Sequence, residues 1–348
     1  MGGLSAEPRA GNVPRFRSWT LVLLACGLVA GCALWPRSAW RARLHAGHPL
    51  VGTLWDVAAG RSIGEPELRA RIADHPLVLL GEKHDNPDHH RLQAHLLAAL
   101  VEQGRRPAVA FEMISVDQGP ALAELRAQPA VTSREVRTAL RWDASGWPAW
   151  KLYAPIFETA LRARLPIFAA DLPKEWIEVL RDEGLPGLEP ATRAQLALDA
   201  PLPPDAQRAL EEEIRSAHCG HALGDYLARM VDVQRARDAQ LARALLDAAA
   251  AGSDGAVLIA GTGHVRTDRG VPVYLARMSA DTPVVSVAML EVSGEALDAD
   301  GELARAFEAG APFDYVWFTP RVDDRDPCER FRKRLETLAP AAEAPAAP

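Results

Sequence analysis

Four short apolar runs in this sequence are each followed at once by a carboxylate or an imidazole. Leu77–Leu80 leads into Gly81, Glu82, Lys83, His84, Asp85 and Asn86, and Ala108–Phe111 into Glu112. Ile167–Ala170 leads into Asp171, and Ala256–Ala260 into Gly261, Thr262, Gly263 and His264. One such residue alone reads as the cap of a following helix, the expected role of Asp85 or Asn86. Four in succession read as a site. Imidazole nitrogen with carboxylate oxygen is a donor set suited to zinc or another divalent transition metal, and both groups can give or take a proton. Glu82, His84, Glu112 and His264 are therefore the candidate metal-ligating or catalytic groups, with Asp171 beside them as a further catalytic or ligand-binding candidate. His84 and His264 each close a Gly-x-x-His element, in which glycine is expected to turn the backbone tightly and let the imidazole project. His89 and His90 fall on the first turns of the next helix, near the same place, and are additional candidates. His89 shares the Leu92/Leu96 face, so a satisfied core imidazole is its other reading. His95 is expected on the helix surface. Trp142, Trp147, Trp150 and Tyr153 either line an apolar pocket or belong to the core.

The elements that must carry these residues are legible. Runs this short and this continuously apolar, with Val284–Met289 as a fifth, fit strands buried on both faces of a parallel sheet. Tyr315–Phe318 is strand-like as well. Asn86 is placed to cap a helix with Pro87 in its first turn, and Leu92, Leu96 and Leu100 recur at four-residue spacing as far as Gln103. Residues 146–164 and 225–251 are amphipathic helical stretches. The alternation predicts an α/β fold, an open and mostly parallel sheet with flanking helices. Between residues 172 and 221 the pattern changes to acidic, Leu/Ala-rich helix broken by Pro186, Pro190, Pro201, Pro203 and Pro204, which predicts a helical insertion over one end of the sheet. In such sheets ligands gather beyond the carboxyl ends of the strands, where the candidate residues stand.

The two ends of the chain read differently. Arg9, Arg15 and Arg17 precede the apolar run Leu21–Ala30, which is too short to span a bilayer and reads as a targeting segment ending at residue 31. Leu28-Val29-Ala30-Gly31-Cys32 resembles the lipobox of bacterial lipoproteins, so Cys32 is expected to carry acyl chains and anchor the protein to a membrane. Ala33 follows where an Asp would favour inner-membrane retention, which points to the outer membrane. Residues 339–348 are Ala, Pro and Glu only and are expected to be a disordered tail, leaving 32–338 as a single domain. The chain carries a net charge of −7. The three Arg and one Glu of residues 1–31 make the remainder more acidic still, which excludes a nucleic-acid partner. Beyond Cys26 and Cys32, only Cys219 and Cys328 remain; in an oxidising compartment they read as a disulfide, with two free thiols as the alternative.

Gly81-Glu82-Lys83-His84-Asp85-Asn86-Pro87 and Phe111-Glu112-Met113 resemble motifs of the ChaN-like haem-binding uptake lipoproteins of the Tiki superfamily. Trp142-Asp143, Ala169 to Pro173, His218 to His221, Gln234 to Asp238, Gly261 to Arg266 and Asp326 to Glu329 are similar to later blocks of that family. The resemblance implies haem or iron acquisition at the outer membrane, with haem held between the subunits of a homodimer. The wider superfamily includes Tiki-type proteases and erythromycin-esterase-like enzymes and is marked by two Gly-x-x-His elements and an intervening Glu. It implies instead a metal-dependent hydrolase using Glu82, His84, Glu112 and His264. Haem iron requires an axial Tyr, His, Met or Cys. Of Tyr153, Tyr226, Tyr274 and Tyr315, Tyr153 is the expected ligand, because the neighbouring tryptophans could pack on a flat macrocycle.

Overall fold

A computed structural model describes residues 1–3, 40–220, 224, 226–251, 254–326 and 328–329. Residues 4–31 of the targeting segment, Cys32 and the tail at 339–348 lie outside the described residues. Two short strands, β1 (Leu54–Asp56) and β2 (Arg61–Ile63), lead into helix α1 (Glu65–Ala73). Strand β3 (Leu77–Glu82), helix α2 (Pro87–Glu102) and strand β4 (Ala108–Ser115) follow, and then helices α3 (Gly119–Arg126), α4 (Ser133–Ala139) and α5 (Trp150–Arg162) before β5 (Ile167–Asp171). Helices α6 (Lys174–Glu183), α7 (Pro190–Gln195) and α8 (Pro204–Ala217) precede the long α9 (Tyr226–Ala250). The chain then returns through β6 (Ala256–Gly261), α10 (Val271–Met278), β7 (Val284–Glu291), α11 (Ala299–Ala306) and β8 (Tyr315–Thr319).

The sheet order is β2-β1-β8-β7-β3-β6-β4-β5. Every pair from β8 to β5 is parallel, while β1 runs antiparallel to both β2 and β8. The fold is thus the expected open, mostly parallel α/β sheet. All residues of β3 and β6 are buried, which explains why these strands lack any polar alternation. The four strands whose ends carry the candidate residues, β3, β6, β4 and β5, are consecutive neighbours, so their carboxyl ends form one continuous mouth.

Helix α2 begins as the sequence requires. The Asn86 side chain accepts from the Asp88 backbone N–H, and Pro87 occupies the first turn, where a missing donor costs nothing. Leu92, Leu96 and Leu100 are buried, and α2 packs on α5. His95 is half-buried rather than a free surface residue, because its Nε2 pairs with Glu65 of α1 at 2.7 Å. Helix α9 crosses the sheet on β4, β5 and β6 and packs against α6, α8 and α10. Between β5 and α9 the described residues form helices and connecting turns. Glu213 of α8 pairs with Arg269 in the segment after β6, so the helical insertion reaches the mouth of the sheet. Cys219, just beyond α8, is joined in a disulfide to Cys328, 109 positions away.

Candidate functional site

Glu82 is the last residue of β3, and its carboxylate is fully buried. Its Oε1 accepts from His84 Nδ1 at 2.9 Å and from the Tyr153 hydroxyl at 2.9 Å. Its Oε2 faces His90 Nδ1 at 2.5 Å. Burial alone would push this carboxyl up, but the His90 and His84 imidazoles outweigh it and bring it down to about 2. Glu112 lies within β4 where the register against β5 breaks after Phe111, and that irregularity leaves its backbone off the regular ladder. Its Oε2 accepts from the Gly261 backbone N–H at 2.7 Å, and its Oε1 accepts from Arg237 at 3.0 Å and pairs with His264 Nε2 at 3.2 Å. Burial raises it, and His264 and Arg237 reverse the sign, holding it far below the usual carboxylate range. His84 Nε2 lies 3.9 Å from Glu112, so the two glutamates are bridged through one ring.

His264 stands between two carboxylates. Its Nδ1 donates to Asp238 at 2.6 Å while its Nε2 faces Glu112. Burial disfavours its charge, yet Glu112 and Asp238 together push it up to about 10. Burial raises the Asp238 carboxyl in turn, against the pull of His264 and Arg237. Asp171, at the end of β5, accepts twice from Arg237, at 2.9 Å from both Nε and an NH2 group. The candidate residues Glu82, His84, Glu112, His264 and Asp171 are therefore brought together in one connected network, and α9 adds three members that the sequence offered only as part of the similar block Gln234 to Asp238, without a site role. Gln234, Arg237 and Asp238 all come from α9, at three- and four-residue spacings that place them on the face turned to the strand ends.

Other expectations need correction. The glycines of the Gly-x-x-His elements do not provide a tight left-handed turn, since neither Gly81 nor Gly261 has a positive φ. They permit close approach instead. A Cβ at Gly81 would lie 2.4 Å from Val265 Cγ2, and one at Gly261 would lie 2.9 Å from His84 Nε2. His89 is a core imidazole, with Nδ1 accepting from the Lys83 N–H and Nε2 facing Thr319 Oγ1, and burial lowers it to about 3. Both His90 nitrogens are engaged too, by Glu82 and by the His84 carbonyl, so neither His89 nor His90 offers a lone pair to a ligand. Among the described residues no three His, Cys, Asp or Glu are arranged to hold a metal ion. The reason is visible in the network: the carboxylate oxygens of Glu82, Glu112 and Asp171 are turned to imidazoles, to Arg237 and to backbone N–H groups.

Tyr153 is fully buried, donates to Glu82 and packs on Trp142, so its oxygen is closed to a macrocycle. Trp142 and Trp150 are core, stacked around Phe157 and Tyr153, whereas Trp147 sits edge-on to His84 with ring centroids 4.9 Å apart. Tyr274 and Tyr315 are buried as well. Tyr226, in the first turn of α9, is 62% exposed. Of the network, His84 and Arg237 reach solvent furthest, with side chains 35% and 22% exposed.

Residues 68–275 match the family described as haem-binding uptake, Tiki superfamily, ChaN. The chain belongs to the ChaN family. Among solved structures it is similar to ChaN of Campylobacter jejuni, described with cofacial haem binding, at a TM-score of 0.60 and 20% identity over 76% of this chain and 95% of that one. At that identity the likeness concerns the fold. The type III effector HopBA1 has a TM-score of 0.41 and 16% identity over 73% of this chain and 91% of its own. An erythromycin esterase in its open conformation has a TM-score of 0.37 and 15% identity over 66% of this chain and 73% of its own. No curated protein sequence matches the chain. Both Gly-x-x-His elements lie within the matched residues, with His84, His264 and Glu112 in one cluster at the sheet mouth.

Proposed function

We propose that this ChaN-family protein binds haem, takes part in haem or iron uptake, and is anchored by acylated Cys32 to the outer membrane. The observation that carries the reading is Tyr226. Of the four tyrosines it alone presents its phenol to solvent, and it does so from α9, the helix that also feeds the sheet-mouth network. An oxygen donor of this kind fits ferric haem, whose iron accepts an axial Tyr. The other donors fit less well: Tyr153 is closed off, Cys219 is in a disulfide, and His89 and His90 have both nitrogens engaged. The Campylobacter jejuni protein is described with cofacial haem binding, and the family resemblance implies haem held between the subunits of a homodimer. That arrangement suits an exposed ligand and not a buried one, and it supports a homodimer here.

On this reading the buried Glu/His/Arg/Asp network braces the strand ends and the first turns of α9. A hydrolase using Glu82, His84, Glu112 and His264 is not favoured, since those groups neutralise one another and leave no metal-ligand set. Haem titration of the full-length protein, followed in the Soret region and by size-exclusion chromatography, tests the proposal. Saturable spectral change with a shift from monomer to dimer is expected. An unsaturable, non-specific spectrum would overturn it.

A further inference from the structure

A cavity of about 460 Å3 lies at the other end of β5, against Ile167, the strand's first residue, while Asp171 at its last residue belongs to the sheet-mouth network. That volume is within the range of small-molecule sites. Its wall is aliphatic, with Leu122, Leu125, Val136 and Leu165 buried around it. Two cations, Arg126 and Arg164, complete the lining. Arg126 is held in place, its guanidinium 5.0 Å over the Phe168 ring and donating to the Ile167 carbonyl at 3.0 Å. No carboxylate among the described residues pairs with either arginine. Arg164 also occupies a left-handed position, φ 54, that terminates α5. Gly104 fills the corresponding place after α2 at φ 88. An arginine where glycine is the unstrained choice puts a charged side chain on the cavity that glycine would leave bare.

We propose that this cavity binds an amphipathic carboxylate of medium chain length, its apolar body on the leucines and its carboxylate on Arg126 and Arg164. The charge argument decides the class. The protein is acidic overall, so a pair of guanidinium groups without acidic partners at an apolar cavity selects an anion against the general field. The iron of haem finds no ligand there, because the lining holds no Tyr, His, Met or Cys. The site is therefore independent of the haem reading and stands or falls separately.

Octanoate titrated calorimetrically into the full-length protein in lipid nanodiscs, with empty nanodiscs as blank, is the test. One-to-one saturable binding is expected, with octanamide at least tenfold weaker because it has no charge. The double variant R126Q/R164Q should lose at least tenfold in affinity while still unfolding in a single cooperative transition, since both arginines are exposed. Val131→Trp, which fills the cavity, should abolish binding in a protein that keeps both charges. No saturable heat with octanoate, equal affinity for octanamide, or undiminished binding by R126Q/R164Q would each overturn the proposal.

Discussion

Glu112→Gln keeps the shape of the side chain and removes its charge, which isolates what that charge does. In the native protein the carboxylate accepts from Gly261 and Arg237 and faces His264 at 3.2 Å, all out of water. Breaking one member of a buried ion network leaves the others uncompensated, at a cost of about 3–5 kcal/mol. Domains are stable by about 5–15 kcal/mol, so the variant should fold but melt roughly 5–8 °C lower. The pH dependence gives the sharper signature. His264 is raised from 6.5 to about 10, so its contribution is complete below pH 6.5 and is lost as pH rises through about 10. That displacement corresponds to roughly 4–5 kcal/mol at about 1.36 kcal/mol per unit. With Glu112 neutral, only Asp238 holds the imidazolium, and the loss should begin at lower pH. Urea unfolding at pH 6, 8 and 10 measures both effects. A destabilisation under about 1 kcal/mol, or the same pH profile in variant and native protein, would refute the claim that Glu112 sustains the charge on His264.

Three further outcomes are expected. Gly261→Ala should displace the His84 ring, since the added Cβ meets Nε2 at 2.9 Å, and the His84 resonances in a 1H–15N spectrum should shift while the fold persists. Glu82, brought down to about 2, contributes stability that is full above pH 4.5 and lost as pH falls through about 2; Glu82→Gln should flatten the acid limb of a stability-versus-pH curve over that window. Cys219→Ser opens a closure of 109 positions and should cost about 2–4 kcal/mol in urea unfolding, matching the effect of reduction on the native protein.

The strands could be read because a strand buried on both faces must be apolar throughout, and the first polar residue after it marks its mouth. Leu77–Leu80 and Ala256–Ala260 were legible for that reason, and Glu82 and His264 with them. β1 and β2 were not, being three residues each, with β1 joined to the sheet through β8 and β2 paired only to β1. Arg237 and Asp238 stood out only within the similar block Gln234 to Asp238 and not as site residues, because charged residues on a long helix ordinarily belong to its solvated face. Only the crossing of α9 over β4, β5 and β6 shows that this face is buried. Tyr153 sits among tryptophans as the sequence suggested, but a core aromatic whose hydroxyl finds a carboxylate looks the same along the chain as one that lines a pocket.

The haem reading rests on Tyr226, and the absorption spectrum of ferric haem on Tyr226→Phe beside the native protein and Tyr153→Phe tests it most directly. The native protein and Tyr153→Phe should show the same saturable Soret change and a phenolate-to-iron charge-transfer band, and Tyr226→Phe should lose the band with at least tenfold in affinity. An undiminished band in Tyr226→Phe would contradict the account.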